Sequence, residues 1–195
     1  MTNMDNTKSD QRASQTQHFF SQLEDQILRR LHVEASSDEG RAELLRSTGI
    51  QDVKLLDELG RLGIPADGVV ALRLFPLALV SWAEDDTDDS ERNTVMAAAD
   101  QLGIAEGTTA WIVLDQWLTK RPPGLGVDAW KRYTHEIFAK MSIVAQKRLI
   151  ELAEKQMTAV AKASGGSLGI GSVSKKEKAI IHQVVTAMRQ QMSTK

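Results

Sequence analysis

The sequence predicts an all-α protein, and three observations support that prediction. Apolar residues recur at helical spacing along most of the chain, capping residues and glycines separate these stretches, and no segment alternates apolar with polar residues over a useful length. With 195 residues and an apolar content of 42%, the chain can bury a substantial core. We therefore expect a compact multi-helix bundle.

The N-terminal third divides into a tail and a helical extension. Residues 1–15 are polar and lack apolar periodicity, so we expect a disordered tail. Residues 16–64 are expected to form an N-terminal helical extension to the core. Within it, 16–32 carries apolar residues at 3.6-residue spacing, and Val53–Leu62 predicts a helix that ends at Gly63.

The most hydrophobic helix is predicted over residues 66–83. Its apolar run is about fifteen residues long, shorter than the roughly twenty that a bilayer span needs, so we expect a buried core helix. Pro76 lies inside this stretch and has no amide hydrogen to donate. We therefore expect a kink or break near Phe75.

Helices are also predicted along the rest of the chain. Helices are predicted over 89–102 and 106–119, followed by a link at 121–126 that contains two prolines. Residues 127–164 contain no glycine or proline and are too many for one globular helix, so we expect two helices that divide near Ser142. After a glycine-rich loop, a last helix should run to about Met192.

Two segments share an order of features that indicates an internal repeat. Each has an Ala-rich helix end, a turn, a capping box and a new helix with apolar residues after its glutamate. In this alignment Ala83 matches Ala163 and Glu91 matches Glu177. Chance similarity between two helix–turn–helix segments remains the alternative.

The first of these segments resembles a known family. Residues 82–92 read WAEDDTDDSER, and Trp82, Ala83, Asp88, Glu91 and Arg92 match the pattern of TerB-like (tellurite-resistance TerB) proteins. The resemblance covers residues 65–192, which would form the TerB-like helical core. It implies an all-helical fold, links to tellurite resistance and stress response, and suspected metal binding. Asp85 stands where the family has glycine.

The acidic turn at 84–91 is the strongest candidate site in the sequence. Calcium and similar hard cations take several carboxylate oxygens on a flexible turn, which makes Glu84, Asp86, Asp88 and Glu91 candidate metal ligands. The spacing does not match an EF-hand, because Ala97 stands where the bidentate glutamate is required. The alternative is a solvated turn whose acids cap the following helix.

A second candidate site lies at the start of the last helix. Lys175 and Lys176 follow a glycine-rich loop, and a helix N-terminus with adjacent lysines is suited to binding an anion. One further motif is incomplete. His135-Glu136 begins a zinc-protease pattern, but Ala139 stands at the position of the second histidine. No recognisable catalytic machinery is present, so we expect no enzyme activity.

Charge is distributed unevenly along the chain. Residues 1–119 hold 10 Lys/Arg against 21 Asp/Glu, a net charge of −11, while residues 120–195 hold 14 against 5, a net charge of +9. The two halves are expected to pack on each other, to associate between copies, or to present a basic face to an anionic partner. A protein partner is favoured over nucleic acid or a membrane surface.

These observations lead to one expected function and one alternative. The chain has no cysteine and its first fifteen residues contain no secretory h-region, which favours a cytoplasmic location. We expect a non-enzymatic intracellular interaction or stress-response module. The alternative is a weak divalent-cation sensor that uses the acidic turn 84–91.

Overall fold

The computed structural model describes residues 21–163 and 172–192, and within those ranges every regular element is helical. The first helix of the described residues, α1, covers 21–36 and ends at Ser36. In chain order there follow α2 (Asp38–Thr48), α3 (Val53–Leu62), a 3-10 segment (Ala66–Leu74), α4 (Phe75–Ser81), α5 (Asp89–Gln101), α6 (Thr109–Thr119), α7 (Gly124–Ala139), α8 (Ile143–Ala163) and α9 (Lys175–Gln190). The all-α prediction is confirmed. The predicted tail at 1–15 and the glycine-rich loop lie outside the described residues.

The short helix α4 lies at the centre of the bundle. It packs against the 3-10 segment and against α5, α6, α8 and α9. All of its residues except Leu79 are buried, which fits its almost wholly apolar sequence. Around it, α5 packs on α8 and α8 packs on α9, so the two predicted helix pairs lie against each other. Whether the pairs are related by a repeat remains a prediction.

The predicted break at Pro76 is confirmed, but the conformation before it was not foreseen. Residues Ala66–Leu74 form a 3-10 segment instead of an α-helix. Pro76 cannot donate a hydrogen bond, and the amide of Phe75 bonds to the carbonyl of Leu72 three residues earlier. Because Pro76 falls in the first turn of α4, its missing amide costs that helix nothing.

Two predicted boundaries were wrong by about three residues, while the division near Ser142 is confirmed. Helix α6 begins at Thr109, because Gly107 adopts a left-handed φ of 80° and the Thr108 side chain caps the helix. Helix α7 begins inside the predicted link, at Gly124. Pro123, in an extended backbone conformation, is the N-cap residue of this helix.

The helices of the N-terminal extension share their core with the rest of the bundle. Leu44 of α2 and Leu55 and Leu59 of α3 are fully buried and belong to the same apolar cluster as α4. Helix α3 also packs on α7, where Arg132 reaches Asp52 at 3.3 Å and Glu58 at 3.2 Å. Helices α2 and α3 are therefore integral to the bundle.

Helix α1 is attached mainly through its last turn. Ala35 is its one buried residue among those described, and the backbone of Ala35 lies against Gly60 of α3. His32 approaches Gly63 so closely that an added Cβ there would lie 3.1 Å from its Nδ1 atom. The preceding turns, 21–31, contain no buried residue.

Within the described ranges, no single helix combines the length and the apolar content that crossing a bilayer requires. Helix α3 and residues Ala66–Ser81 reach the required length and apolar content only when they are taken together, and the chain bends by 91° between them.

Candidate functional site

The acidic turn between α4 and α5 is organised around a complete capping box. The Asp88 side chain accepts a hydrogen bond from the Glu91 amide at 2.8 Å, and the Glu91 carboxylate accepts one from the Asp88 amide at 3.1 Å. These bonds satisfy amide donors that the first turn of a helix leaves without intrahelical partners. Asp88 and Glu91 are thus already engaged with backbone hydrogen-bond donors.

Glu91 is a buried acid in an unfavourable electrostatic environment. Its side chain points back under the turn, and the residue is only 5% exposed. Burial raises the pKa of Glu91 to about 7, the bond from the Asp88 amide opposes this, and the negative charges of Asp88, Glu177 and Asp86 add to the rise. Glu91 therefore gains and loses its proton near neutral pH.

The start of α9 repeats the same construction. The Ser174 hydroxyl accepts from the Glu177 amide at 3.2 Å, and the Glu177 carboxylate accepts from the Ser174 amide at 2.6 Å. Glu177 is 2% exposed, so it too is buried. The two predicted capping boxes are confirmed, and their glutamates lie near enough for the charge of one to disfavour ionisation of the other.

The structure does not assemble the four predicted metal ligands into a common site. Glu84, Asp86 and Asp88 are exposed, whereas Glu91 is turned into the core and bonded to the backbone. Asp86 accepts from the amide of Thr87, the next residue, at 2.9 Å. Over residues 21–163 and 172–192, no three His, Asp or Glu side chains are placed to hold a metal ion.

The acidic turn instead contacts the second predicted site. Lys176 lies 3.8 Å from the Glu84 carboxylate and 3.5 Å from that of Asp85. Arg121, from the link before α7, pairs with Asp85 at 2.8 Å. Lys175 is exposed and forms no ion pair among the described residues. Acidic and basic segments thus neutralise each other, as the opposite charges of the two halves of the chain suggest.

Asp85 has a backbone conformation that non-glycine residues seldom adopt. Its φ is 71°, in the left-handed region, and it is the only non-glycine residue with positive φ among those described. The position is the one where the TerB-like pattern has glycine. The Arg121 guanidinium, and after it Lys176, hold the pKa of Asp85 below its ordinary value.

Sequence reasoning missed the pairings that connect these segments. Arg92, on α5, forms an ion pair with Asp115 of α6, and the Trp82 indole donates to the Trp117 carbonyl at 2.7 Å. Both pairs join residues of the first half of the chain, 1–119, so the opposite net charge of the two halves gave no signal for them.

No protein-family model, curated protein or solved structure matches this chain. The resemblance to TerB-like proteins therefore remains a hypothesis based on the residues quoted above.

Proposed function

We propose that this protein is a non-enzymatic, cytoplasmic interaction module that docks onto a partner protein through α1. Its cellular context would be the stress response that the resemblance to TerB-like proteins implies, tellurite resistance included. The observation that carries the proposal is the apolar face of α1, which lies outside the core cluster and is only partly covered by the rest of the described structure.

The apolar residues of that face are spaced as in a helix that binds in a groove of its partner. Leu23, Ile27, Leu28 and Leu31 follow the spacing of one helical side. Leu23 is 42% exposed and the other three are half-buried. None belongs to the apolar core cluster of the bundle. Covering such a face on binding removes apolar surface from water, which favours association.

The polar residues of α1 favour a protein partner over a membrane. Glu24 and Asp25 occupy the first part of the described helix, and Arg29 and Arg30 follow them. A helix that binds an anionic bilayer has a polar face rich in lysine and arginine. The mixed charges here, with the net charge of −11 on residues 1–119, fit a partner that offers an apolar groove with polar edges of both signs.

Substitution of the apolar face tests the proposal. Leu23→Asp with Ile27→Asp places two charges on that face, and Glu106→Gln with Lys120→Gln, at exposed positions outside α1, is the matched control. Tagged proteins produced at native level should recover the same partner with the wild type and the control, and lose it with the double aspartate variant. Binding should then be reproduced between the two purified proteins.

Two results would overturn the proposal. If the double aspartate variant retains the partner, docking does not use α1. If the purified protein forms a dimer in sedimentation experiments and the double aspartate substitution abolishes it, the occupant is a second copy of this chain. Circular dichroism must show equal helix content in the three proteins, which we expect because neither position lies in the core.

A further inference from the structure

A cavity of about 340 Å³ lies on the side of the bundle between α7 and α8. Its walls are mainly apolar and include Leu74, Trp130, Phe138, Leu149 and Met188. Binding sites for small molecules are concave and mostly apolar, with a few polar groups that orient the ligand, and their volumes run from about 300 to 1,000 Å³. This cavity is therefore of a size for a small ligand.

Arg73 is the one charged residue among those that line the cavity. It lies at the end of the 3-10 segment, is exposed, and has no ion pair with a carboxylate in the described part of the chain. Leu152 of α8 also lines the cavity and is 44% exposed. These exposed side chains show that the cavity is open to solvent, with a guanidinium at its rim.

Tyr133 supplies a second polar group. It lines the cavity and is only 8% exposed, and its hydroxyl forms no hydrogen bond with any described residue. Burial raises the pKa of Tyr133, while the positive charge of Arg73 acts in the opposite direction. Both residues line the same cavity. The neighbouring Thr134 differs, because its hydroxyl donates to the Trp130 carbonyl at 2.8 Å.

The Tyr133 hydroxyl is accessible from the cavity, because it is not one of the fully buried unpaired side-chain atoms of the described residues. A ligand acceptor placed between Tyr133 and Arg73 would accept a hydrogen bond from this hydroxyl and would also neutralise the arginine. The acceptor that suits a guanidinium best is a planar anion, because its two oxygens match the two parallel N–H groups.

We propose that this cavity binds a small amphipathic carboxylate of the medium-chain fatty acid type. The carboxylate pairs with Arg73 and accepts a hydrogen bond from the Tyr133 hydroxyl. The hydrocarbon chain lies against the apolar walls between α7 and α8, where burial removes it from water. No cation or acid among the lining residues competes with Arg73 for the head group.

Calorimetric titration with three compounds of equal chain length tests the head-group chemistry. Octanoate, 1-octanol and octylamine are used below the concentrations at which they form micelles. Octanoate should bind one molecule per chain. Octanol should bind about tenfold more weakly because it cannot form the charge-assisted bond, and octylamine should not bind because its charge is repelled.

Three substitutions test the placement. Arg73→Gln should weaken octanoate binding about tenfold or more while leaving octanol binding unchanged. Tyr133→Phe should weaken octanoate binding severalfold without changing the shape of the cavity. Leu152→Trp should block the opening without contact to the head-group site. Arg61→Gln, on the exposed side of α3 and outside the cavity, is the matched control and should bind as the wild type does.

The proposal fails if octanoate produces neither heat nor a thermal shift at millimolar concentration. It also fails if octanol binds as tightly as octanoate, or if Arg73→Gln binds octanoate as the wild type does, because the cavity would then not select an anion. Thermal melts of each variant establish that it is folded. Since Arg73 and Leu152 are exposed, their substitution should leave the bundle intact.

Discussion

Glu91 and Glu177 are two buried carboxylates, on α5 and α9, that each accept a hydrogen bond from the N-cap amide of their own helix. The negative charge of Glu177 contributes to the raised pKa of Glu91. Burying two acids near each other is unfavourable unless one of them holds a proton or both are well bonded. Here the capping bonds provide part of the compensation, and protonation of Glu91 can provide more.

Neutralising Glu91 should make stability less dependent on pH. Its pKa rises from 4.5 in the unfolded chain to about 7 in the folded protein, so between those values the folded state holds the additional proton. The free energy of unfolding therefore falls as pH rises from about 4.5 through 7. In Glu91→Gln, whose amide oxygen can still accept the Asp88 hydrogen bond, we expect this fall to be smaller by on the order of 2 kcal/mol.

The measurement is urea unfolding of the wild type and Glu91→Gln at pH 5 and pH 8. Glu151→Gln, on the exposed face of α8, is the control and should follow the wild type. Equal pH dependence in the wild type and Glu91→Gln would mean that Glu91 does not titrate in this range.

Two glycines at the start of α7 should respond in opposite directions to alanine. A Cβ at Gly126 would lie 2.7 Å from two ring carbons of Phe75, which is fully buried and packs edge-on against Trp117 at 5.1 Å. Gly126→Ala should therefore destabilise the protein by about 1–3 kcal/mol. A Cβ at Gly124 meets nothing within 4 Å, so Gly124→Ala should stabilise the protein by up to about 1 kcal/mol. Thermal unfolding of both variants checks the pair, and a stabilising Gly126→Ala would contradict this packing.

The left-handed backbone at Asp85 should favour glycine over alanine. Left-handed geometry costs an ordinary L-residue about 1–2 kcal/mol, and glycine avoids that cost. Both substitutions remove the ion pairs with Arg121 and Lys176, which are exposed and therefore contribute little. Asp85→Gly should thus be more stable than Asp85→Ala by about 1 kcal/mol. Chemical denaturation measures the difference, and equal stabilities would refute the assigned φ.

Calcium should leave the melting temperature unchanged at millimolar concentration. Asp88 and Glu91 already accept hydrogen bonds from backbone amides, and Glu84 lies beside Lys176, so a cation would have to displace these partners. Differential scanning fluorimetry is the measurement. A calcium-dependent rise in the wild type that disappears in Asp88→Asn with Glu91→Gln would instead support a cation sensor at 84–91.

Local sequence signals determined most of the helices. Capping boxes at Asp88 and Ser174, a glycine after α3 and a proline inside the apolar run at 66–83 each act within one or two helical turns, so they can be recognised without knowledge of the fold. The boundaries of α6 and α7 were missed because helix entry there depends on the backbone conformation of Gly107 and Pro123.

Only the tertiary structure decided what the candidate residues do. The acidic turn and Lys176 of α9 are about ninety positions apart, and their contact follows from the packing of α4 against α9. The cavity beside Arg73 and Tyr133 is likewise formed by residues from several elements that are distant in sequence. Caps and periodicity depend on neighbouring residues, whereas ion pairs and cavities depend on which helices meet, and a single sequence read locally does not contain that information.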